Sequence, residues 1–105
     1  MYEVIYMKAD YEPWWLFEDW KEKIQTRKVF TCKAEAKQYM DTVTMQFSGQ
    51  FDHHEVRKEC FFAFWSDEEK VYCEGCDDEL QIFHGIISFV DGEPAPIILK
   101  NNSNI

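Results

Sequence analysis

The sequence predicts an α+β domain in which two main helices and one short helix cover a mainly antiparallel sheet of about five strands. Three observations support this prediction. Apolar side chains alternate over residues 2–8, as in a strand. They recur at helical spacing between residues 33 and 49. Two strand-like stretches, 57–65 and 70–74, are separated only by the acidic stretch SDEE, as in an antiparallel hairpin.

The first half of the chain predicts two strands and two helices. Residues 2–8 are apolar on both faces, which favours a strand inside the sheet. We expect a helix from about Pro13 to Ile24, because proline suits the first helical position. Residues 27–32 predict a short strand, and a long helix should follow from Lys33 until Gly49 ends it.

The second half predicts a loop, three strands and a short helix. Residues 51–56 have the polar composition of a loop, whereas 57–65 is the strongest strand and should lie at the sheet centre. Its expected hairpin partner is 70–74. Acidic residues open the stretch 76–85, with His84 and Gly85 at its end, which is typical of a short helix. Residues 86–90 predict the final strand, so the expected order is β-α-β-α-β-β-α-β.

Length and charge restrict the class of protein. The chain has 105 residues, so we expect one domain over residues 1–100 and a frayed polar tail over 101–105. Its net charge of −9 disfavours general binding to nucleic acid and to anionic membranes. No apolar run approaches the roughly 20 residues of a membrane helix, and no signal peptide is visible. We therefore expect a cytoplasmic protein whose four cysteines are mostly reduced thiols.

Three stretches carry a resemblance to a known family: YEPWWLFEDW near the N-terminus, AFWSDEE in the middle, and YCEGCDDELQIFHG after it. With these motifs the chain resembles an uncharacterised family of short proteins from Gram-positive bacteria, a domain of unknown function. The resemblance covers residues 2 to about 91. It implies no assigned chemistry and no established site residues, although members are often labelled as DNA-binding.

Cysteines provide the candidate metal site. Cys73 and Cys76 have the C-x-x-C spacing of half a structural zinc site, and Cys60 is the best third ligand, because its strand should pair with that of Cys73. A redox pair is the alternative, but the acidic neighbours of Cys76 oppose a thiolate. Inert thiols without a cofactor remain the favoured interpretation. His53 and His54 are best explained as solvated loop residues.

No sequence motif of a known enzyme class is present, so we expect a non-enzymatic protein-binding or regulatory module. The expected partner is a protein, contacted through Trp14 and Trp15 if these side chains are exposed. Two alternatives stay open: a small zinc-binding domain and a nucleic-acid-binding protein. The second would use a basic strip formed by Lys21, Lys23, Arg27, Lys28, Lys33 and Lys37.

Overall fold

The computed structural model describes residues 1–75 and 78–99. It contains one α-helix, eight strands and two 3₁₀ turns within that part of the chain. In chain order these are β1 (Tyr2–Ala9), a first 3₁₀ turn (Pro13–Trp15), a second (Trp20–Lys23), β2 (Ile24–Phe30), α1 (Lys33–Gln50), β3 (His53–Arg57), β4 (Phe61–Trp65), β5 (Lys70–Cys73), β6 (Asp78–Gln81), β7 (Phe83–Val90) and β8 (Glu93–Pro94).

The main sheet is antiparallel and has the strand order β2-β1-β7-β4-β3, with β8 beside β7. Its central pair joins the two ends of the chain: β1 and β7 are in register from Tyr2 opposite Val90 to Ala9 opposite Phe83. The α+β class is therefore confirmed, as are the predicted strand at residues 2–8 and the predicted long helix.

Both faces of the sheet are covered, which explains why the central strands are apolar on both sides. On one face Val4 and Ile86 pack with Met40 of α1. On the other face Met7 and Ile87 pack beneath the two 3₁₀ turns. Alternate residues of β1 thus belong to two separate hydrophobic clusters, one on each face of the sheet. No helix among residues 1–75 and 78–99 is long and apolar enough to cross a bilayer.

β5 and β6 form a separate two-stranded hairpin, and we call these two strands, Lys70–Cys73 and Asp78–Gln81, the β5–β6 arm. Hydrogen bonds at its root hold it to the sheet. The side-chain amide of Gln81 donates to the backbone carbonyl oxygens of Ser66 and Glu69, at 2.8 and 2.9 Å. The Ile82 amide also donates to the carbonyl of Glu69, at 3.0 Å. An isolated two-stranded hairpin is only marginally stable in water.

The predicted helix at residues 13–24 is wrong. Two short 3₁₀ turns replace it, and Leu16 ends the first of them in the left-handed conformation, with φ 46°. The aromatic side chains explain the difference: Trp14 and Trp20 both lie against the sheet cluster, and Trp20 stacks on Phe89 at 5.7 Å. Packing of these large rings on the sheet outweighs weak local helix propensity.

The expected short helix at residues 76–85 is also absent from the described part of that range. Residues 78–81 form β6, and His84 and Gly85 lie inside β7. The predicted loop at 51–56 overlaps β3, a polar strand at the sheet edge, where one face and one backbone side meet water. Nor does β4 pair with β5 as predicted, because β3 and β7 occupy its two sides.

Strand and helix counts therefore differ from the prediction of five strands and two main helices. The proposed single domain over residues 1–100 stays a prediction. The tail at 101–105 lies outside the described residues.

Candidate functional site

The first candidate site is a half-open groove of about 760 Å³, which we call the tryptophan groove. It lies on the face of the sheet that the 3₁₀ turns cover. Trp14, Trp15 and Leu16 line it together with Arg57, Lys58 and the segment Pro94–Pro96. Its volume lies within the roughly 300–1,000 Å³ of typical ligand sites.

The tryptophan wall is positioned by close packing of the first 3₁₀ turn. Pro13 is buried and lies over Gly85 of β7, so closely that an added Cβ at Gly85 would stand 2.6 Å from the Pro13 Cβ. Trp14 is half-buried next to this contact. Trp15 is 54% exposed, and its indole N–H donates to the Glu12 carboxylate at 3.3 Å.

Exposed aromatic surface continues beyond the groove. The ring of Trp15 stacks on that of Phe17, with centroids 6.0 Å apart and an interplanar angle of 6°. Phe17 is itself 50% exposed. The two predicted partner-binding residues therefore differ in their exposure: Trp15 is open to solvent, whereas Trp14 is half-buried and forms part of the groove wall.

A strained turn brings two cations to the groove. Lys58 and Glu59 have φ values of 54° and 56°, and the Cys60 amide donates to the Arg57 carbonyl at 3.2 Å. Such left-handed pairs connect β-hairpins but favour Asn and Gly. Strain of this kind is concentrated at functional sites.

The two cations have different surroundings. The Arg57 guanidinium lies 4.3 Å from the Trp14 ring centroid, and its Nε donates to Glu55 at 2.8 Å. Among the ion pairs between described residues, none involves Lys58. Arg57 is therefore committed to the protein itself, and Lys58 is available for an anionic partner.

Cys60 also lines the groove, and burial raises the pKa of its thiol, an effect that Lys58 partly opposes. It is a free thiol at the start of β4 and belongs to the cluster of Met7 and Ile87. A buried thiol in apolar surroundings is inert rather than nucleophilic.

The second candidate site is a hydrogen-bonded chain on the α1 face that sequence patterns did not indicate. The Tyr6 hydroxyl lies 2.7 Å from His84 Nδ1, and His84 Nε2 lies 2.7 Å from the Glu69 carboxylate. Since a carboxylate only accepts, Nε2–H donates to Glu69, and in the matching tautomer Nδ1 accepts from the Tyr6 hydroxyl. The chain joins β1, β7 and the root of the β5–β6 arm.

His84 is enclosed within this chain. It is 6% exposed, and its ring stacks on that of Phe51 with centroids 4.3 Å apart. Lys8 lies 3.9 Å from the second Glu69 oxygen. Both ring nitrogens already have partners, so the geometry favours a role for His84 in holding the fold rather than in binding a ligand.

Two tyrosine hydroxyls give the stability of the fold an alkaline dependence. Burial, followed by the nearby Glu69, raises the pKa of Tyr6 above its ordinary 10.0. Burial and a 2.9 Å hydrogen bond to Asp19 raise the pKa of Tyr11 to about 12. Between pH 10 and these raised values the unfolded chain loses the protons while the folded chain keeps them, so the free energy of unfolding falls as pH rises.

We therefore expect urea midpoints to decline from about pH 10 to about pH 12, and to decline less steeply in Tyr11→Phe. Urea titrations at closely spaced pH values would measure the two slopes. Asp19→Asn, which removes the accepting carboxylate, should give an intermediate slope. Equal slopes in wild type and Tyr11→Phe would contradict the expectation.

The structure does not assemble the predicted zinc ligands. Cys60 precedes β4 whereas Cys73 ends β5, and these strands are not paired, so the expected cross-strand contact is wrong. Cys73 is disulfide-bonded, contrary to the expectation of reduced thiols, and a metal ligand must be a thiolate. Cys76 lies outside the described residues.

Other metal candidates are separated as well. His53 contacts Asp67 at 3.0 Å, and the ring of its neighbour His54 lies tilted beside that of Phe64, with centroids 6.3 Å apart. Asp78 and Glu79 lie on β6 rather than at a helix start. In residues 1–75 and 78–99 no cluster of three or more His, Cys, Asp or Glu side chains is arranged to hold a metal ion.

The predicted basic strip is divided among three elements and partly neutralised. Lys23 pairs with Asp19 at 3.7 Å. Arg27 of β2 pairs with Glu3, and Lys37 of α1 pairs with Asp41 at 2.6 Å. The other members of the strip are Lys21, Lys28 and Lys33. Phosphate contacts require cations on one continuous surface, so this distribution gives the nucleic-acid alternative little support, and it stays a prediction.

The described residues define a small α+β protein with one antiparallel sheet and an open aromatic groove. The chain matches the model of a family described as a protein of unknown function (DUF1033) over residues 1–103. It belongs to this family, which confirms the expectation of a domain of unknown function. No curated protein and no solved structure matches the chain.

Proposed function

We propose that this protein is a non-enzymatic protein-binding module and that the tryptophan groove is its contact surface. The observation that carries the proposal is the exposure of Trp15 at a half-open, aromatic-lined groove whose rim includes Lys58. Tryptophan and arginine are enriched among the residues that dominate binding energy at protein interfaces. Here Trp15 is the exposed tryptophan, and Arg57 lines the same surface while it is held by Trp14 and Glu55.

The shape of the groove favours a polypeptide segment. Pro94–Pro96 and the first 3₁₀ turn provide walls, and the groove is open to solvent along one side. Small-molecule sites instead bury most of the ligand surface. A segment of polypeptide can place one apolar side chain against Trp15 while its backbone continues through the open side.

The charges favour a partner that carries a carboxylate beside its apolar anchor. Of the two cations that line the groove, Arg57 pairs with Glu55, whereas Lys58 takes part in none of the ion pairs between described residues. A carboxylate next to Lys58 would gain a favourable contact within a chain whose net charge is −9. Such complementarity at the rim contributes more to specificity and association rate than to affinity.

The test uses a displayed library of randomised peptides selected on the immobilised chain, followed by fluorescence anisotropy on synthetic copies of the selected peptides. Trp15→Ala is expected to weaken their binding by about tenfold or more, as for an interface anchor. Met45→Ala is the matched control, because Met45 is 74% exposed on α1, away from the groove. Failure to select any binder, or equal affinities for wild type and Trp15→Ala, would refute the proposal.

A further inference from the structure

We infer that the tryptophan groove binds the β5–β6 arm of a second copy of this chain. The inference rests on the proposed function of the groove and names its occupant. Four features support it: the separation of the arm from its own sheet, its side chains, its distance from its own groove, and the symmetry of the resulting contact.

The arm is a surface element that its own chain leaves largely uncovered. Among the described residues, β5 and β6 pair only with each other and take no part in the main sheet. Val71 is 46% and Tyr72 60% exposed on it. A hairpin of two strands gains stability when a further surface covers it.

The side chains of the arm match those of the groove. Tyr72 lies directly opposite Glu79 in the hairpin register, so both side chains point to the same face, about 5 Å apart. One face therefore presents an aromatic ring beside a carboxylate. The groove presents Trp15 and Lys58, which are the complementary aromatic surface and cation.

The arm lies away from the groove of its own chain. It leaves the sheet after Trp65, whereas the groove is lined by Cys60 and Phe61, at the other end of β4. Five strand residues separate these points by about 17 Å. None of the described residues that line the groove belongs to β5 or β6, so the groove is open to the arm of a second molecule.

A two-fold arrangement makes both contacts at once. Each copy would insert its arm into the groove of the other, so the two contacts are identical by symmetry. Self-repulsion between two chains of charge −9 opposes association, but salt at 0.15 M screens exposed charges beyond about 8 Å. We therefore expect a weak, reversible dimer rather than a permanent one.

Analytical ultracentrifugation of the full chain tests the inference. The Cys32→Ser background removes the exposed free thiol and excludes disulfide-linked dimers. The average mass should rise from 12.6 kDa towards twice that value as the concentration increases. A suitable range is about 1 to 500 µM, which covers weak dimers. Trp15→Ala should weaken the dimer by about tenfold or more.

A charge exchange identifies the contact. Lys58→Glu and Glu79→Lys should each weaken self-association by several-fold, because each places like charges at both arm–groove contacts. An equimolar mixture of the two variants should recover the wild-type mass, since every contact in the mixed dimer then joins a lysine to a glutamate. Lys28→Glu, with the same change in charge on the exposed β2 strand, is the control and should leave the mass unchanged.

Three results would overturn the inference: a mass that stays at 12.6 kDa at the highest concentration, a dimer that Trp15→Ala leaves intact, or no recovery in the mixture. These results are separable from failure of the proposed function. If the chain is monomeric but selected peptides still bind the groove and lose affinity in Trp15→Ala, only the identity of the partner is wrong. If the peptides also fail to bind, the proposed function fails with it.

Discussion

Replacing Gly85 by alanine is expected to lower the free energy of unfolding by about 1–3 kcal/mol, the usual effect of overpacking a filled core. The new Cβ would lie 2.6 Å from the Pro13 Cβ and 3.1 Å from Cγ of Met7. Met7 can change its rotamer, but the pyrrolidine ring of Pro13 is rigid. The first 3₁₀ turn must therefore move away from the sheet, and Trp14 and Trp15 must move with it.

Urea denaturation followed by circular dichroism would measure the change, and Gly49→Ala is the matched control. Gly49 has no atom within 4 Å of an added Cβ and lies in α1, so this variant should be neutral or more stable by up to about 1 kcal/mol. Pro13→Gly combined with Gly85→Ala should recover part of the loss, because it removes both Pro13 atoms that the new Cβ would meet. If Gly85→Ala is as stable as wild type, the contact between Pro13 and β7 is not close.

His84→Leu is expected to destabilise the fold by about 2–4 kcal/mol, because it removes one neutral and one charged hydrogen bond at once. The leucine preserves apolar volume beside Phe51, so the loss reports mainly on the polar contacts. The Tyr6 hydroxyl would then lose its acceptor, and Glu69 its donor at the root of the β5–β6 arm.

A double-mutant cycle separates the two contacts. Tyr6→Phe alone should cost about 1 kcal/mol, and combined with His84→Leu it should add less than that, because the shared hydrogen bond is already absent. Hydrogen exchange should also rise across residues 70–73 in His84→Leu, since Glu69 anchors the arm. Additive effects and unchanged exchange would show that the hydrogen bonds of His84 with Tyr6 and Glu69 are not energetically coupled.

Elements with a strong, uninterrupted period could be predicted from the sequence. β1 alternates over its whole length, and α1 carries apolar residues at helical spacing for several turns. In both, local propensity and burial favour the same structure. The failure at residues 13–24 has the opposite cause. Its apolar residues are spaced as in a helix, but its aromatic side chains pack separately against the sheet.

Strand partners could not be predicted, because pairing over long separations leaves no local signal. The stretch 57–65 contains the end of one strand, a left-handed turn and the start of another, and the turn has no Gly, Asn, Asp or Pro that would mark the boundary. With β3 and β7 at its sides, β4 has no free edge for β5. The zinc hypothesis required that pairing to bring Cys60 beside Cys73. Without it, Cys60 cannot serve as the third ligand.

The candidate site was predicted in part. The partner contact was expected at Trp14 and Trp15 only if they are exposed, and Trp15 meets that condition, whereas the cations beside it are Arg57 and Lys58 rather than members of the basic strip. These residues reach the groove only because the turn after β3 folds towards the first 3₁₀ turn. The bond between Tyr6 and His84 joins residues 78 positions apart, so no sequence window contains both.

The central pairing of β1 with β7 has a consequence for synthesis. Because β1 lies between β2 and β7, its second edge is covered only after residue 90 has been synthesised. Until then β1 and β2 can form no more than a hairpin with an open, apolar edge, which is prone to pair with other chains. The high contact order of this pairing predicts slow folding for a domain of this size.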